Sequence, residues 1–320
     1  MSELGRVRDD LWTADAAARI VSLLPSATEI VYALGLADRL VGVTHECDFP
    51  TEAQAKPQLT ASSLPHATSA GEIDRHVRAK LHAGSSIYAL DSLLLERLEP
   101  ELIITQELCA VCAVSYEIVA RAAKRLRGDP RIISLEPSSL EDVYANIATV
   151  GELAGVTSAA SALVSSLRER ARRLASAVAG RARPRMLVLE WTDPPFSAGH
   201  WTPGLVELAG AEAVLAQPNA DSKVISWEAI VAADPDTIVV APCGFGMAAT
   251  LRAIADVATS VPAWRELRAV RERRAYAIDG NAFVNRPGPR LIETAELFAT
   301  AAHGVPLGSS PNDPAAIRRI

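Results

Sequence analysis

The chain has little cysteine, few aromatic residues and no long apolar run. Its 320 residues include only four cysteines, three methionines and 5% aromatic residues. No uninterrupted apolar stretch of about 18 residues occurs, so the sequence predicts no membrane insertion. A lysine- or arginine-rich run is also missing, and the net charge is -6. These features argue against a nucleic-acid partner, because phosphate contacts need a basic surface.

The first residues lack the pattern of an export signal. The opening stretch, MSELGRVRDDLWTADAAARIVSLL, carries charges where a signal peptide has an apolar segment. We therefore expect a cytoplasmic protein, and a periplasmic one only if the start codon is misassigned. Cytoplasmic thiols are normally reduced, so the Cys-x-x-Cys pair Cys109 and Cys112 is expected to serve in ligation, redox exchange or packing.

Apolar runs alternate with helical patterns in both halves of the chain. The predicted strands are RIVSLL (19–24), LVGV (40–43), ELIIT (101–105), RIISL (131–135), RMLVLEW (185–191), DTIVVA (236–241) and RAYAID (274–279). This rhythm predicts an α/β fold with parallel sheets covered by helices. After the first strand, PSATEIVYALG predicts a helix in which Ser26 and Glu29 have the spacing of a capping box and Gly35 is the stop.

An internal similarity predicts two Rossmann-like lobes. LLLERLEPELIITQELC and WEAIVAADPDTIVVAPC share a helix, a Pro-acidic corner, an apolar strand and a cysteine, in that order. Between them, 157–180 is alanine-rich without an interior Gly or Pro, which predicts one long bridging helix of about 30 Å. The predicted divisions are an N-terminal extension (1–18), a first lobe (19–156), the bridging helix (157–180), a second lobe (181–304) and a C-terminal tail (305–320).

Chemically reactive and aromatic residues follow the predicted strands. Ligands of open parallel sheets bind beyond the carboxyl ends of the strands. The residues predicted there are His45, Glu46, Cys47, Cys109, Cys112, Trp191, Phe196, His200, Trp201, Cys243, Asp279 and Asn281. They come from both lobes, so we expect them to line one interlobe cleft. The N-terminus of the helix at Pro25 and Ser26 adds free N–H groups that suit carbonyl, amide or phosphate oxygens.

These residue types leave several kinds of chemistry open. Thiols and imidazoles suit a transition metal or a metal-bearing ligand, and the tryptophans offer flat faces to a large ring system. His45 and Cys47 are one residue apart, which in an extended chain points both side chains toward one ion. His200 is either a hydrogen-bonded cleft histidine or an axial metal ligand. Cys243 is either packing or a ligand, and Arg286 belongs either to a rigid turn or to the site.

The motifs also carry a family resemblance. PSATEIVYALGLADRLVGVTHECDFP, with EPELII, WTDPPFSAGHW, ADPDTIVV and RPGPR (286–290), resembles the cobalamin-binding members of the helical-backbone (class III) periplasmic binding proteins. Without an export signal, the chain looks closest to a cytoplasmic branch of them. These proteins are substrate-binding components of ABC importers for iron-siderophores, haem and cobalamin. The resemblance implies a ligand between two lobes and a permease that docks on one carboxylate of each lobe. By motif position these carboxylates are Asp91 and Glu228.

The leading hypothesis is therefore non-enzymatic binding of a corrinoid, cobalamin-like, or a related metal-chelate in the interlobe cleft, with an ABC transporter permease as partner. The expected ligand-binding residues are Pro25, Ser26, His45, Glu46, Cys47, Trp191, Phe196, His200, Trp201, Asp279 and Arg286. The alternative hypothesis is a cytoplasmic metal or metallocluster protein, or a thiol redox protein. It would use His45, Cys47, Cys109 and Cys112, with Cys243 as a further metal ligand.

Overall fold

The computed structural model describes residues 17–64, 69–82, 87–106, 116–124, 126, 128–306 and 313–320. The strands of the first lobe are β1 (Ile20–Ser22), β2 (Leu40–Val43), β3 (Thr60–Ser62), β4 (Tyr88–Leu90), β5 (Leu102–Thr105) and β6 (Arg131–Ser134). Its helices are α1 (Pro25–Ala33), α2 (Ala70–His82), α3 (Ser92–Leu98), α4 (Tyr116–Ala123) and α5 (Leu140–Leu153). Four strands form a parallel sheet in the order β2-β1-β5-β6, and β3 pairs antiparallel with β4. The parallel sheet predicted for this lobe is confirmed.

The bridging helix is α6 (Thr157–Val178), which is 22 residues long. The second lobe has strands β7 (Arg185–Thr192), β8 (Pro195–Ser197), β9 (Glu212–Ala213), β10 (Lys223–Val224), β11 (Thr237–Val240), β12 (Ala275–Ile278) and β13 (Ile317–Arg319). Its helices are α7 (Thr202–Leu208), α8 (Trp227–Ala233), α9 (Met247–Ser260), α10 (Pro262–Glu266), α11 (Arg268–Arg271) and α12 (Leu291–His303), and Gly280–Val284 forms a π-helical turn. The predicted α/β fold with two lobes and one long helix is confirmed.

The second sheet differs from the predicted parallel sheet in three strands. Its order is β10-β8-β7-β11-β12-β13, with β9 also paired to β7. β7, β9, β11 and β12 run parallel, whereas β8, β10 and β13 are antiparallel to their neighbours. β13 lies in the segment predicted as a tail, and it covers the edge of β12. Three-residue runs such as IRR are too short to show an alternating pattern in sequence.

The capping box predicted for α1 is wrong. The helix begins at Pro25 after Leu24, and no side chain caps it. Proline suits this first position because its fixed φ is already helical and its missing N–H would have no partner there. The stop at Gly35 is confirmed, since this glycine adopts a φ of +74° that other residues rarely tolerate. The carboxyl group of Glu29 is therefore available for another role.

The apolar core continues from one lobe to the other. One cluster includes Ile147 on α5, Leu167 and Leu174 on α6, and Phe298 on α12, so the bridging helix is part of the core. The opposite face of each sheet packs on a cluster of its own. Successive residues of a strand contribute side chains to the clusters on the two faces of the sheet, because side chains alternate across a strand. Among the described residues, no helix combines the length and the apolarity that a membrane crossing needs.

Ion pairs fasten the bridging helix to both lobes. Arg168 on α6 lies 2.5 Å from Glu141 on α5 in the first lobe. Two residues further along the same helix, Arg170 donates two 2.8 Å hydrogen bonds to Glu296 on α12 of the second lobe. Only 1% of the Glu296 side chain is exposed, so its charge depends on this one arginine and on the packing around it. The middle of the helix is thus paired with both lobes, and α6 does not act as a flexible linker.

The Arg170–Glu296 pair gives a stability prediction. Arg170→Met should lower the free energy of unfolding by on the order of 3 kcal/mol, because it leaves a buried carboxylate without its partner. Arg173→Met is the control, since Arg173 is on the same helix but 62% exposed. Urea denaturation of both variants measures the difference. Equal midpoints for the two variants would show that the buried pair contributes nothing.

Candidate functional site

A partly buried cluster of charged and polar side chains joins the two lobes. The Glu29 carboxylate on α1 of the first lobe accepts hydrogen bonds from Arg290 at 2.6 and 2.9 Å and from Arg286 at 3.3 Å. Asp48, also in the first lobe, lies 2.5 Å from Arg286 and accepts from Asn281 Nδ2 at 2.9 Å. All three partners belong to the second lobe. We call these five residues the interlobe cluster.

The interlobe cluster changes the predicted roles of two residues. Arg286 was expected to contact the ligand, but it is 4% exposed and its guanidinium is occupied by Glu29 and Asp48. Sequence reasoning placed Glu29 in a helix cap and missed this ion pair. A signal was present, because a carboxylate and the RPGPR arginines are both in the motifs that carry the family resemblance. Their meeting in space is decided only by the packing of α1 against the loop before α12.

The first-lobe rim consists of His45, Glu46, Thr60 and Tyr88. His45 and Glu46 form a turn after β2. The Nδ1 atom of His45 lies 2.7 Å from Thr60 Oγ1, and the Tyr88 hydroxyl donates to Glu46 at 2.9 Å. Burial raises the pKa of Glu46, and the Tyr88 hydrogen bond offsets part of the rise. The imidazole is thereby held through Nδ1, which leaves Nε2 as the atom that can face a ligand.

Cys47 does not lie on this rim. It is 2% exposed within the core, and its Sγ atom lies 3.0 Å from Thr28 Oγ1. Burial raises the pKa of the thiol to about 11, which disfavours the thiolate needed for metal binding or redox exchange. The prediction that His45 and Cys47 point toward one ion is wrong, because the chain turns at 45–46 and does not leave the strand in extended form.

The start of α1 is also turned away from an open cleft. Pro25 is half-buried and Ser26 is 3% exposed. A Cβ placed on Gly288 of the second lobe would lie 3.4 Å from the Ser26 carbonyl oxygen. This first turn therefore packs against the RPGPR loop, and its predicted contact with a ligand remains a prediction.

The second-lobe rim consists of Trp191, Asp193, Cys243 and Phe245. The Trp191 indole donates to the Asp193 carbonyl oxygen at 3.1 Å, and its ring centroid lies 5.2 Å from that of Phe245. Cys243 is half-exposed after β11, as predicted, and its N–H donates to Glu190 O. Trp191 lies at the end of β7, and Asp193, Cys243 and Phe245 follow β7 or β11 at their carboxyl ends.

His200 is held in a strained backbone conformation in the loop after β8. Its φ is +51°, and its N–H donates to Ala220 O at 2.6 Å. The ring stacks on Trp201 at 5.7 Å, and 19% of the side chain is exposed. Burial lowers the pKa of the imidazole, although Asp221 opposes the shift. A neutral imidazole held in this way is suited to bind a metal.

Three other predicted ligand contacts lie in different surroundings. Trp201 is 9% exposed in the core and donates to Val284 O at 2.9 Å, so its indole is structural and its assignment to the site is corrected. Phe196 is half-buried on β8. The Asp279 carboxylate caps the π-helical turn through Ala282 N at 2.8 Å and accepts from Met247 N at 3.2 Å. Its oxygens are therefore already occupied by backbone donors.

Glu190 is a half-buried residue with a shielded carboxyl group that sequence reasoning missed. It lies on β7 between Leu189 and Trp191, beside Gly199 and Ser222. Burial raises its pKa to about 7, and hydrogen bonds from the Ser222 hydroxyl and the Gly199 N–H offset part of the rise. Its place in the run LVLEW, one residue before the predicted Trp191, is the only signal that the sequence contains.

Among the residues that the structure describes, the predicted metal ligands do not form a cluster. Cys109 and Cys112 lie outside the described residues, so their roles remain predictions. Within the described part of the chain, no group of three or more His, Cys, Asp or Glu side chains is arranged to hold a metal ion. Of the cysteines that the structure describes, Cys47 is buried and Cys243 is separated from it by the interlobe boundary.

A cavity of about 440 Å³ lies at the opposite end of the second sheet, away from both rims. Its lining includes Arg183, Asp236, Arg268, Arg274 and His303. Each arginine is already paired: Arg183 contacts Glu207, Arg268 contacts Asp234 and Asp236, and Arg274 donates to backbone oxygens and Thr237. The arginines of the cavity are therefore already engaged within the protein.

The predicted docking carboxylates are not equivalent in the structure. Asp91 caps α3 by accepting from Leu94 N at 2.8 Å, and Ser226 caps α8 by accepting from Ala229 N at 3.1 Å. When α3 and α8 are aligned by these N-cap residues, Asp91 corresponds to Ser226. Leu93 then corresponds to Glu228. Leu93 is 70% exposed. The first lobe thus presents an apolar side chain where the second presents an acid, and Asp91 is corrected to a helix cap.

Comparisons with known proteins identify the family. The chain belongs to the periplasmic binding protein family, which it matches over residues 20–282. It is 28% identical to an uncharacterized ABC transporter substrate-binding lipoprotein, YvrC, of Bacillus subtilis, over 89% of this chain and 80% of that protein. It is 26% identical to a cobalamin-binding protein of Halobacterium salinarum, over 89% of this chain and 69% of that one.

Its fold is also that of solved structures. A periplasmic heme binding protein from Pseudomonas aeruginosa superposes with a TM-score of 0.69 at 22% sequence identity. The superposition covers 93% of this chain and 96% of that one. The resemblance predicted from the sequence motifs is confirmed at the level of the family and the fold.

Glu190 gives a prediction about pH. The folded protein binds a proton at Glu190 more tightly than the unfolded chain, whose pKa is near the ordinary 4.5. The free energy of unfolding should therefore fall as the pH rises from about 4.5 to about 7, by on the order of 3 kcal/mol. Glu190→Gln should remove this fall, and the exposed Glu152→Gln should retain it. Urea titrations at a series of pH values measure the effect, and parallel curves for wild type and Glu190→Gln would contradict it.

Proposed function

We propose that the protein is a non-enzymatic binding protein for a corrinoid, or for a related metal-chelate such as haem, held between its two lobes. The observation that carries this proposal is the pair of rims at the carboxyl ends of the strands, one in each lobe. The second-lobe rim offers the aromatic pair Trp191 and Phe245, whose faces suit a large planar ligand. His45 and His200 supply one half-buried imidazole in each lobe.

The surrounding chemistry supports a bound chelate more than a bare metal ion or a redox reaction. A chelate brings most of its own metal ligands, so the protein needs only one imidazole and an apolar surface. The burial of Cys47 removes one thiol from the alternative hypothesis. Family membership and the name of the cobalamin-binding relative agree with the chelate.

Titration with hydroxocobalamin tests the proposal directly, with haemin in a parallel titration. Binding is followed by the visible spectrum and by calorimetry. We expect a dissociation constant well below 100 μM for one of the two ligands. An affinity no tighter than about 100 μM, or about -5.5 kcal/mol, for both ligands would remove the proposal.

His200 provides the sharpest variant. His200→Asn removes the imidazole and tolerates the positive φ, because asparagine adopts this conformation more easily than most residues. If the imidazole binds the metal, the variant should lose the spectral shift on binding and at least about tenfold in affinity, or about 1.4 kcal/mol. His82→Asn, an exposed histidine at the end of α2, is the matched control. An unchanged spectrum in His200→Asn would assign the metal contact elsewhere.

A permease partner is proposed on the surface formed by α3 and α8. Glu228 is exposed, and hydrogen bonds from its own N–H and the Ser226 hydroxyl lower its pKa, so it is ionised. Leu93 takes the equivalent position on the first lobe. The complementary partner therefore has a basic group over one lobe and an apolar depression over the other.

Cosedimentation with membrane vesicles that carry the matching permease tests this surface. Glu228→Lys should lower the bound fraction by about tenfold, or about 1.4 kcal/mol, because it places a positive charge against the basic group of the partner. Leu93→Ser should lower it by several-fold, because it removes the side chain that fits the apolar depression. Glu266→Lys, a charge reversal at an exposed site on α10, is the control. Equal binding by all three variants would contradict the proposed surface.

A further inference from the structure

The helix α2 contacts the second lobe although it belongs to the first. Gly71, in its first turn, packs so closely on Asp193 that a Cβ on this glycine would overlap the carboxylate. The same Cβ position lies 3.0 Å from Asp193 Cγ and 3.8 Å from Asp193 Cβ. Asp193 follows β7, at the carboxyl edge of the second sheet. The contact therefore bridges the lobes on the side where both rims lie.

The segment that carries α2 also builds the first-lobe rim. β3 and β4 flank α2 and pair with each other, with Thr60 opposite Leu90 and Ser62 opposite Tyr88. Thr60 and Tyr88 are the residues that hold His45 and Glu46. Ser69 and Glu72 form a reciprocal cap that starts α2 at this point. A single unit, β3-α2-β4, thus positions one rim and touches the other.

On the second-lobe side, Asp193 is connected to the aromatic residues of the second-lobe rim. The Asp193 carbonyl oxygen accepts from the Trp191 indole, and Trp191 packs on Phe245. The Asp193 side chain is exposed and lies against the positive end of the α2 dipole, a favourable but modest interaction near the surface. The contact can therefore form and break without disturbing the interlobe cluster.

We propose that α2 forms a third wall of the interlobe cleft, and that the Gly71–Asp193 contact must open for a ligand to enter or leave. The inference rests on the proposed function for the identity of the ligand. It assigns the control of access to a local contact, because the interlobe cluster and α6 hold the lobes themselves in place. Gly71 is needed for the close approach, and Asp193 is the residue it meets.

A reversible crosslink tests the wall. Gly71→Cys with Asp193→Cys places two Cβ atoms near 3.8 Å, close to the mean of about 3.8 Å in disulfides. Oxidation should crosslink this pair at least tenfold faster than Arg75→Cys with Asp193→Cys, a control in which the first cysteine is one turn along α2. The oxidised protein should bind and release hydroxocobalamin at least tenfold more slowly than the reduced protein, and a reductant should restore both rates.

Two results would overturn the inference. One is a crosslink that forms no faster than the control pair. The other is a complete crosslink with both ligand rates within a factor of two of the reduced protein.

A second readout separates this inference from the proposed ligand. If no variant binds hydroxocobalamin, the proposed ligand is wrong. Alkylation of Cys243 then tests separately whether α2 forms a wall of the cleft. Cys243 is half-exposed on the second-lobe rim, and peptide mapping follows its reaction apart from the other thiols. Crosslinking should slow its alkylation at least tenfold if α2 covers the cleft. Equal alkylation rates before and after crosslinking would contradict the proposal that α2 forms a wall of the cleft.

Discussion

The arrangement of the two lobes depends on a carboxylate that is removed from water. Glu29 is 4% exposed, and Arg286, its partner from the other lobe, is exposed to the same small extent. Burying two charges is costly, and the cost is recovered only if the geometry is good and the remaining hydrogen bonds are satisfied. Arg290 and Asp48 satisfy them. The lobes therefore have one favourable relative position, because separation would leave each charge without its partner.

A second set of ion pairs acts on the other side of the molecule. α6 runs between the lobes with Arg168 paired to α5 and Arg170 paired to α12. Together with the continuous apolar cluster, these pairs resist the large hinge rotation by which many two-lobed proteins enclose a ligand. A frame of this kind keeps the rims at a constant separation. Access to the space between them then depends on smaller elements such as β3-α2-β4, which contacts both lobes.

The positions of the site residues were more predictable than the directions of their side chains. The rule that ligands lie beyond the carboxyl ends of parallel strands correctly located His45, Trp191 and Cys243 at the two rims. The same rule could not tell that Cys47 and Trp201 turn inward. A turn of two residues at 45–46 and a hydrogen bond to Val284 decide these directions. The hydrogen bond joins residues far apart in the chain, and the turn interrupts the strand pattern. Local periodicity records neither of them.

The sequence by itself determined the seven apolar strand runs, the long bridging helix and the family, because each is written in local periodicity, in breaker residues or in contiguous motifs. It did not determine that Glu29 would meet the RPGPR arginines, that Leu93 would occupy the position of Glu228, or that α2 would touch Asp193. These are contacts between segments separated by more than 100 residues, or comparisons of one lobe with the other. Only the folded chain brings such groups within hydrogen-bonding or van der Waals distance, and there burial and charge pairing decide which contacts persist.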